Sequence, residues 1–128
     1  MTSNRKKILV VEDDKVLRNL LSDQLSRDYE IVRAEDGEQG LNFVIASKPD
    51  LIILDLLLPK MSGLDMLERV RNYPEKAIAD TKVIVFTNFS KPEFFNRSRE
   101  LGVNEYLIKN SNDLSSLLEK IQETFGKK

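Results

Sequence analysis

The stretch LIILDLLLPKMSG, residues 51–63, sets a single carboxylate, Asp55, between two runs of leucine and isoleucine. An aliphatic run without polar alternation suits a strand buried on both faces, the condition of a parallel sheet covered by helices. Residues 8–11 and 83–86 repeat the pattern. A charge following such a strand has no packing reason to be there. The apolar neighbours can hold the strand while the carboxylate stands at its mouth.

Between these runs the period changes. Val16, Leu17, Leu20, Leu21 and Leu25 recur at helical spacing, as do Leu41, Val44 and Ile45, then Leu64, Leu67 and Val70, and finally Leu114, Leu117, Leu118 and Ile121. The alternation predicts strands over 7–12, 30–34, 50–55, 82–87 and 105–109, and helices over 14–27, 37–47, 63–72, 91–101 and 112–125. Gly102 fits the end of the fourth helix, Asn112-Asp113 a cap for the fifth, and Pro74 the close of the third. Residues 72–81 read as the longest loop, with no chemistry of their own. Right-handed crossovers make an open α/β sheet, doubly wound with helices on both faces, the expected product. Ligands in such sheets bind at the carboxyl ends of the strands, beside the switch in strand order.

Composition narrows the functions. The 128 residues, 41% hydrophobic and 32% charged, suit one soluble domain over 1–128 with a core of about 6–125. No apolar run approaches a membrane span, and the polar opening MTSNRKK does not read as a signal peptide, so a cytoplasmic location is expected. The absence of cysteine removes thiol nucleophiles, disulfides and Cys-ligated zinc. The absence of histidine removes a Ser-His-Asp triad and any phosphohistidine made by this chain alone. A net charge of -1 gives no global attraction to nucleic acid, and Arg5-Lys6-Lys7 and Lys127-Lys128 read as solvated ends.

The strand ends carry the chemistry. Glu12-Asp13-Asp14 follow the first strand, Asp55 closes the third, Thr87 the fourth and Lys109 the fifth. Like charges about 4 Å apart repel by roughly 4 kcal/mol at an effective dielectric near 20, so such a cluster calls for a cation. Magnesium suits it: a hard ion that binds through one or two carboxylates plus water and accepts phosphate oxygens. Asp55 is then the candidate nucleophile for a phosphoryl group, with the metal and Lys109 neutralising charge.

These residues carry a resemblance. The segments ILVVEDD (8–14), AEDGEQGL (34–41), PDLIILDLLLPKMSG (49–63), VIVFT (83–87) and EYLIK (105–109) make the sequence resemble the receiver domains of bacterial two-component response regulators, over essentially its whole length. The resemblance implies a flavodoxin-like, five-stranded sheet of order 2-1-3-4-5. It implies phosphorylation of Asp55 by the phosphohistidine of a histidine kinase or histidine phosphotransfer protein. It further implies Mg2+ held by Glu12, Asp13, Asp55 and the main-chain carbonyl of Leu57. Thr87 and Lys109 match the residues that contact the phosphoryl group, and Tyr106 the aromatic switch. Such a domain is a phosphoacceptor switch with at most slow self-dephosphorylation, not an enzyme. Its fourth helix, fifth strand and fifth helix would change their affinity for a downstream protein, with no direct nucleic-acid or membrane contact. As the chain carries no output domain, the signal would pass by protein contact, unless the sequence is a piece of a longer protein.

Other roles are open to single residues. Asp13 alone suits a helix N-cap, and Asp14 is the better candidate for that cap. Pro59 and Gly63 suit the turn after the third strand. Of the adjacent Phe94 and Phe95, one should face the core and leave the other to solvent or a partner. Three features depart from the family pattern: Asn88 stands where a very small residue usually follows the threonine, Leu57 and Phe89 are apolar where many relatives place polar groups, and Asn110 replaces the proline after the lysine. Slow phosphoaspartate hydrolysis and a trans Lys109–Asn110 bond are expected, with a changed path for 110–113. The rivals are a pseudo-receiver that binds without phosphorylation and a magnesium-dependent aspartyl phosphohydrolase. The second lacks an acid two residues after Asp55, where Leu57 stands. A flavodoxin-like nucleotide binder is disfavoured, because the acids at 12–14 occupy the place of a glycine-rich phosphate loop.

Overall fold

The computed structural model describes residues 5–110 and 114–126. Along them run β1 (Lys7–Val11), α1 (Lys15–Leu25), β2 (Glu30–Ala34), α2 (Gly37–Ser47), β3 (Leu51–Leu54), α3 (Gly63–Arg71), α4 (Lys76–Ala79), β4 (Lys82–Thr87), α5 (Pro92–Glu100), β5 (Glu105–Ile108) and α6 (Leu114–Thr124). All strand pairs are parallel and the sheet order is β2-β1-β3-β4-β5. The order therefore reverses between β1 and β3, the strands that lead into Glu12 and Asp55.

The aliphatic runs do what parallel packing demands. Every residue of β3 is buried, and its side chains alternate between two cores. Ile52 and Leu54 join Val44, Met66, Leu67 and Val70 on the face covered by α2 and α3, whereas Leu51 and Ile53 join Leu21, Leu25, Leu117 and Ile121 on the face covered by α1 and α6. Each fully buried leucine or isoleucine stabilises the fold by about 1.5–3 kcal/mol. The edge strands β2 and β5 are only partly covered.

Several local readings hold. Asp14 caps α1, its Oδ1 accepting from the Val16 and Leu17 amides. Gly102 has φ +73, the left-handed conformation that favours glycine after a helix. Phe94 packs against the core and Phe95 is exposed. No cis peptide occurs among the described residues, Lys109–Asn110 included. The Asn112-Asp113 cap and most of the 110–113 loop lie outside the described residues.

Others change. The 72–81 loop contains the short helix α4, which buries only Ile78. The apolar spacing in α1 splits: Leu21 and Leu25 enter the core, but Val16 and Leu20 are exposed. The N-terminal cations are not merely solvated. Arg5 donates to the carbonyls of Ser26 and Tyr29, and Lys7 Nζ donates to the Ser47 carbonyl at 3.1 Å. Lys127-Lys128 lie outside the described residues.

Candidate functional site

Backbone ladders extend just past the strands and bring the chemistry-bearing residues to one edge. The Glu12 amide donates to the Ala34 carbonyl at 3.0 Å, the Asp55 amide to Val11 at 3.1 Å, and the Lys109 amide to Thr87 at 2.8 Å. Behind Asp55 the turn folds back so tightly that the Gly63 amide donates to the Leu56 carbonyl at 2.9 Å. A Cβ on Gly63 would lie 2.3 Å from the Asp55 carbonyl oxygen, so no larger residue fits there without moving the loop. Within that turn Lys60 adopts φ +68 and the Met61 amide donates to the Pro59 carbonyl at 2.7 Å. Pro59 and Gly63 thus serve the turn, as the sequence suggests.

Asp55 is only 6% exposed. Its Oδ1 accepts from the Thr87 hydroxyl at 2.7 Å and from the Leu57 amide at 3.2 Å, and its Oδ2 accepts from Lys109 Nζ at 2.8 Å. The same ammonium donates to Glu12 Oε1 at 2.8 Å, while Glu12 Oε2 accepts from the Asp14 amide at 3.1 Å. Glu12, Asp13 and Asp55 each offer an oxygen within 4.8 Å of the others. The Asp13 carboxylate, which is exposed, has no hydrogen bond or ion pair among the described residues. Three carboxylates against one ammonium leave a local charge of about -2.

The electrostatics follow from burial. Burial raises the Glu12 carboxyl above its ordinary value; hydrogen bonds from Lys109 and the Asp14 amide oppose this, and the charge of Asp55 adds to it. Burial alone would lower the Lys109 ammonium, but its hydrogen bonds to Asp55 and Glu12 and their charges prevail and raise it. The donor set is made of hard oxygens in a niche of surplus negative charge, which fits Mg2+ and does not fit a soft, thiolate-seeking metal.

Tyr106 sits one step away. Its hydroxyl donates at 2.7 Å to the carbonyl of Phe89, two residues past Thr87, and its ring meets Phe95 edge-on at 5.5 Å. Burial, then the charge of Asp55, raises the Tyr106 phenol. Phe89 stacks on Phe94 at 4.6 Å and packs against the core, while Asn88 and Leu57 are exposed. Sequence reading missed Arg18, whose Nη1 donates to the carbonyls of Glu12 at 2.8 Å and Asp13 at 3.3 Å. The available signal was its place: a long cation on the first turns of a helix lies back over the turn that precedes it.

A family model of the response regulator receiver domain matches residues 8–122. The chain belongs to the response-regulator receiver family. Curated relatives agree. The alkaline phosphatase synthesis transcriptional regulatory protein PhoP of Bacillus subtilis is 36% identical over 107 residues, covering 81% of this chain and 42% of that protein. Sporulation initiation phosphotransferase F of the same organism is 31% identical over 105 residues, covering 81% and 82%. Several curated relatives are longer, and the chain spans less than half of their length. Among solved structures, the CheY-like receiver domain protein of Methanospirillum hungatei is 28% identical with a TM-score of 0.85, each chain covered to 94%. The receiver fold, with its five parallel strands in order 2-1-3-4-5, is thus that of CheY-like proteins. Receiver domains belong to two-component systems and are in general phosphoacceptor switches rather than classical enzymes. Among the described residues no helix is long and apolar enough to cross a membrane.

Proposed function

We propose that this receiver accepts a phosphoryl group on Asp55 from the phosphohistidine of a histidine kinase or histidine phosphotransfer protein in the cytoplasm. The observation that carries the reading is the Asp55 carboxylate: it is held between the Thr87 hydroxyl and the Lys109 ammonium, beside two further carboxylates. Glu12, Asp13, Asp55 and the main-chain carbonyl of Leu57 would hold Mg2+, which would neutralise charge on the transferring group. An Asp55 oxygen attacks phosphorus while the bond from phosphorus to the donor imidazole nitrogen breaks, and that nitrogen leaves with the electron pair. Lys109 supplies a fixed positive charge to the product, and Thr87 a hydroxyl that can turn from the carboxylate to a phosphoryl oxygen.

The carboxylate of charge -1 becomes an acyl phosphate of about -2, a net gain of about -1 spread over three strong acceptor oxygens. Thr87 and Lys109 follow it, and Tyr106 on β5, tied to the Phe89 carbonyl two residues past Thr87, carries the change to the surface of α5, β5 and α6, where a downstream protein binds. With Leu57 and Phe89 offering no polar group to position water, hydrolysis is slow. Intact mass after incubation with acetyl phosphate and magnesium tests both points. The native chain is expected to gain one phosphoryl group that outlasts seconds. Asp55→Asn, with the same fold by circular dichroism, is expected to gain none. An unmodified native chain would favour a pseudo-receiver.

A further inference from the structure

We propose that Arg18 is a positioning residue for the cation site, acting on Asp13 through the backbone; this rests on the reading of the acidic cluster as a Mg2+ site. The three candidate ligands are not held alike. Glu12 is aimed by Lys109 and the Asp14 amide, and Asp55 by Thr87, Lys109 and the Leu57 amide. Asp13 has no such partner for its carboxylate among the described residues, so its aim depends on the backbone that carries it.

That backbone is what Arg18 grips. The Glu12 carbonyl belongs to the peptide plane before the Asp13 Cα, and the Asp13 carbonyl to the plane after it. Nη1 of Arg18 accepts no bond but donates to both, at 2.8 and 3.3 Å. Fixing both planes fixes the direction of the Asp13 Cα–Cβ bond, leaving the carboxylate only its side-chain torsions. The guanidinium is itself confined: its side chain is 12% exposed, and Nη2 lies 3.6 Å from Glu35 on the β2–α2 connection. Charge-assisted bonds to the carbonyls are stronger than neutral ones, and a residue of this kind that orients a metal ligand typically contributes 10- to 100-fold in affinity.

The charge of Arg18 acts the other way, because a cation beside the site repels Mg2+. Geometry and charge can therefore be separated. Mg2+ affinity is measured by isothermal titration calorimetry on the native chain, Arg18→Lys, Arg18→Met and Glu35→Gln, with the unfolding midpoint of each recorded and titrations run well below it. Lysine keeps the charge but ends one bond short of Nη1; methionine keeps the apolar stem alone. Positioning requires both Arg18 variants to bind Mg2+ about 10-fold more weakly, with amide shifts in the metal-free state confined to residues 12–14 and their neighbours, and Glu35→Gln to stay within about 2-fold, as an exposed ion pair should. Unchanged affinity in both Arg18 variants, or tighter binding in Arg18→Met with none lost in Arg18→Lys, overturns the proposal and leaves the site itself standing. A native chain that binds no Mg2+ overturns the site reading and this inference with it.

Discussion

Two aspartates follow the strands on either side of β1, Asp36 after β2 and Asp55 after β3, and they are almost equally buried, 7% and 6% exposed. Their company differs. The Asp36 carboxylate accepts from the Gln39 amide at 2.7 Å as the cap of α2 and lies 3.9 Å from the Lys60 ammonium. Its needs are met where its own helix begins. Besides the Leu57 amide of its own turn, Asp55 draws donors from the ends of β4 and β5 and shares its niche with Glu12 and Asp13. Burial of a carboxylate therefore does not mark chemistry. A surplus of negative charge gathered from several strands does, because only a ligand from outside can correct it.

The largest expected effect that sharpens this contrast is on metal binding. Asp13→Asn should weaken Mg2+ at least 10-fold, since a lost ligand should cost no less than a lost outer partner. Asp36→Asn should leave the affinity unchanged. Calorimetric titration of both variants distinguishes the two regions, and equal loss in both would erase the distinction.

Next in size is stability. Asp36→Ala removes a helix cap and should cost about 1 kcal/mol in urea unfolding, with phosphorylation of Asp55 retained. Asp55→Asn should not destabilise the metal-free chain by a comparable amount, because it also relieves the repulsion from Glu12 and Asp13. A larger stability loss in Asp55→Asn than in Asp36→Ala would mean that Asp55 serves the fold first.

The smallest effect is a slope against pH. The Glu12 carboxyl is held above its ordinary 4.5 by burial, which outweighs the Lys109 and Asp14 hydrogen bonds. A group whose pKa is raised on folding contributes stability that is fully present below its unfolded value and is lost as pH rises through the folded one. In the metal-free chain the free energy of unfolding should therefore decline, relative to Glu12→Gln, in the window just above pH 4.5. The difference is no steeper than about 1.4 kcal/mol per pH unit, the limit for one proton. Parallel stability curves would show that Glu12 pays no net penalty for its charge.

Much of this is legible in the sequence, for reasons that differ by residue. The run 51–54 announces a doubly buried strand because no alternation survives in it, and 8–11 and 83–86 repeat the signal. Asp14 reads as a cap because it stands directly before an amphipathic run, and its bonds to Val16 and Leu17 bear this out. Helix α4 was not legible: four residues with one buried side chain give no period. Val16 and Leu20 share the spacing of Leu21 and Leu25, and spacing alone does not say how wide an apolar stripe the core will cover. Arg18 was hidden for another reason. Its bonds go to carbonyls, which every residue owns, so no pattern of side chains announces them.

The central claim, that Asp55 and its neighbours form a cation-dependent phosphoryl site coupled to the α5–β5–α6 surface, is tested most directly by amide chemical shifts during titration with magnesium and beryllofluoride, a phosphoryl mimic. In the native chain, shifts are expected at Asp55, Thr87 and Lys109 and onward at Phe89 and Tyr106, with none of these in Asp55→Asn. A spectrum of the native chain that stays silent at these residues would contradict it.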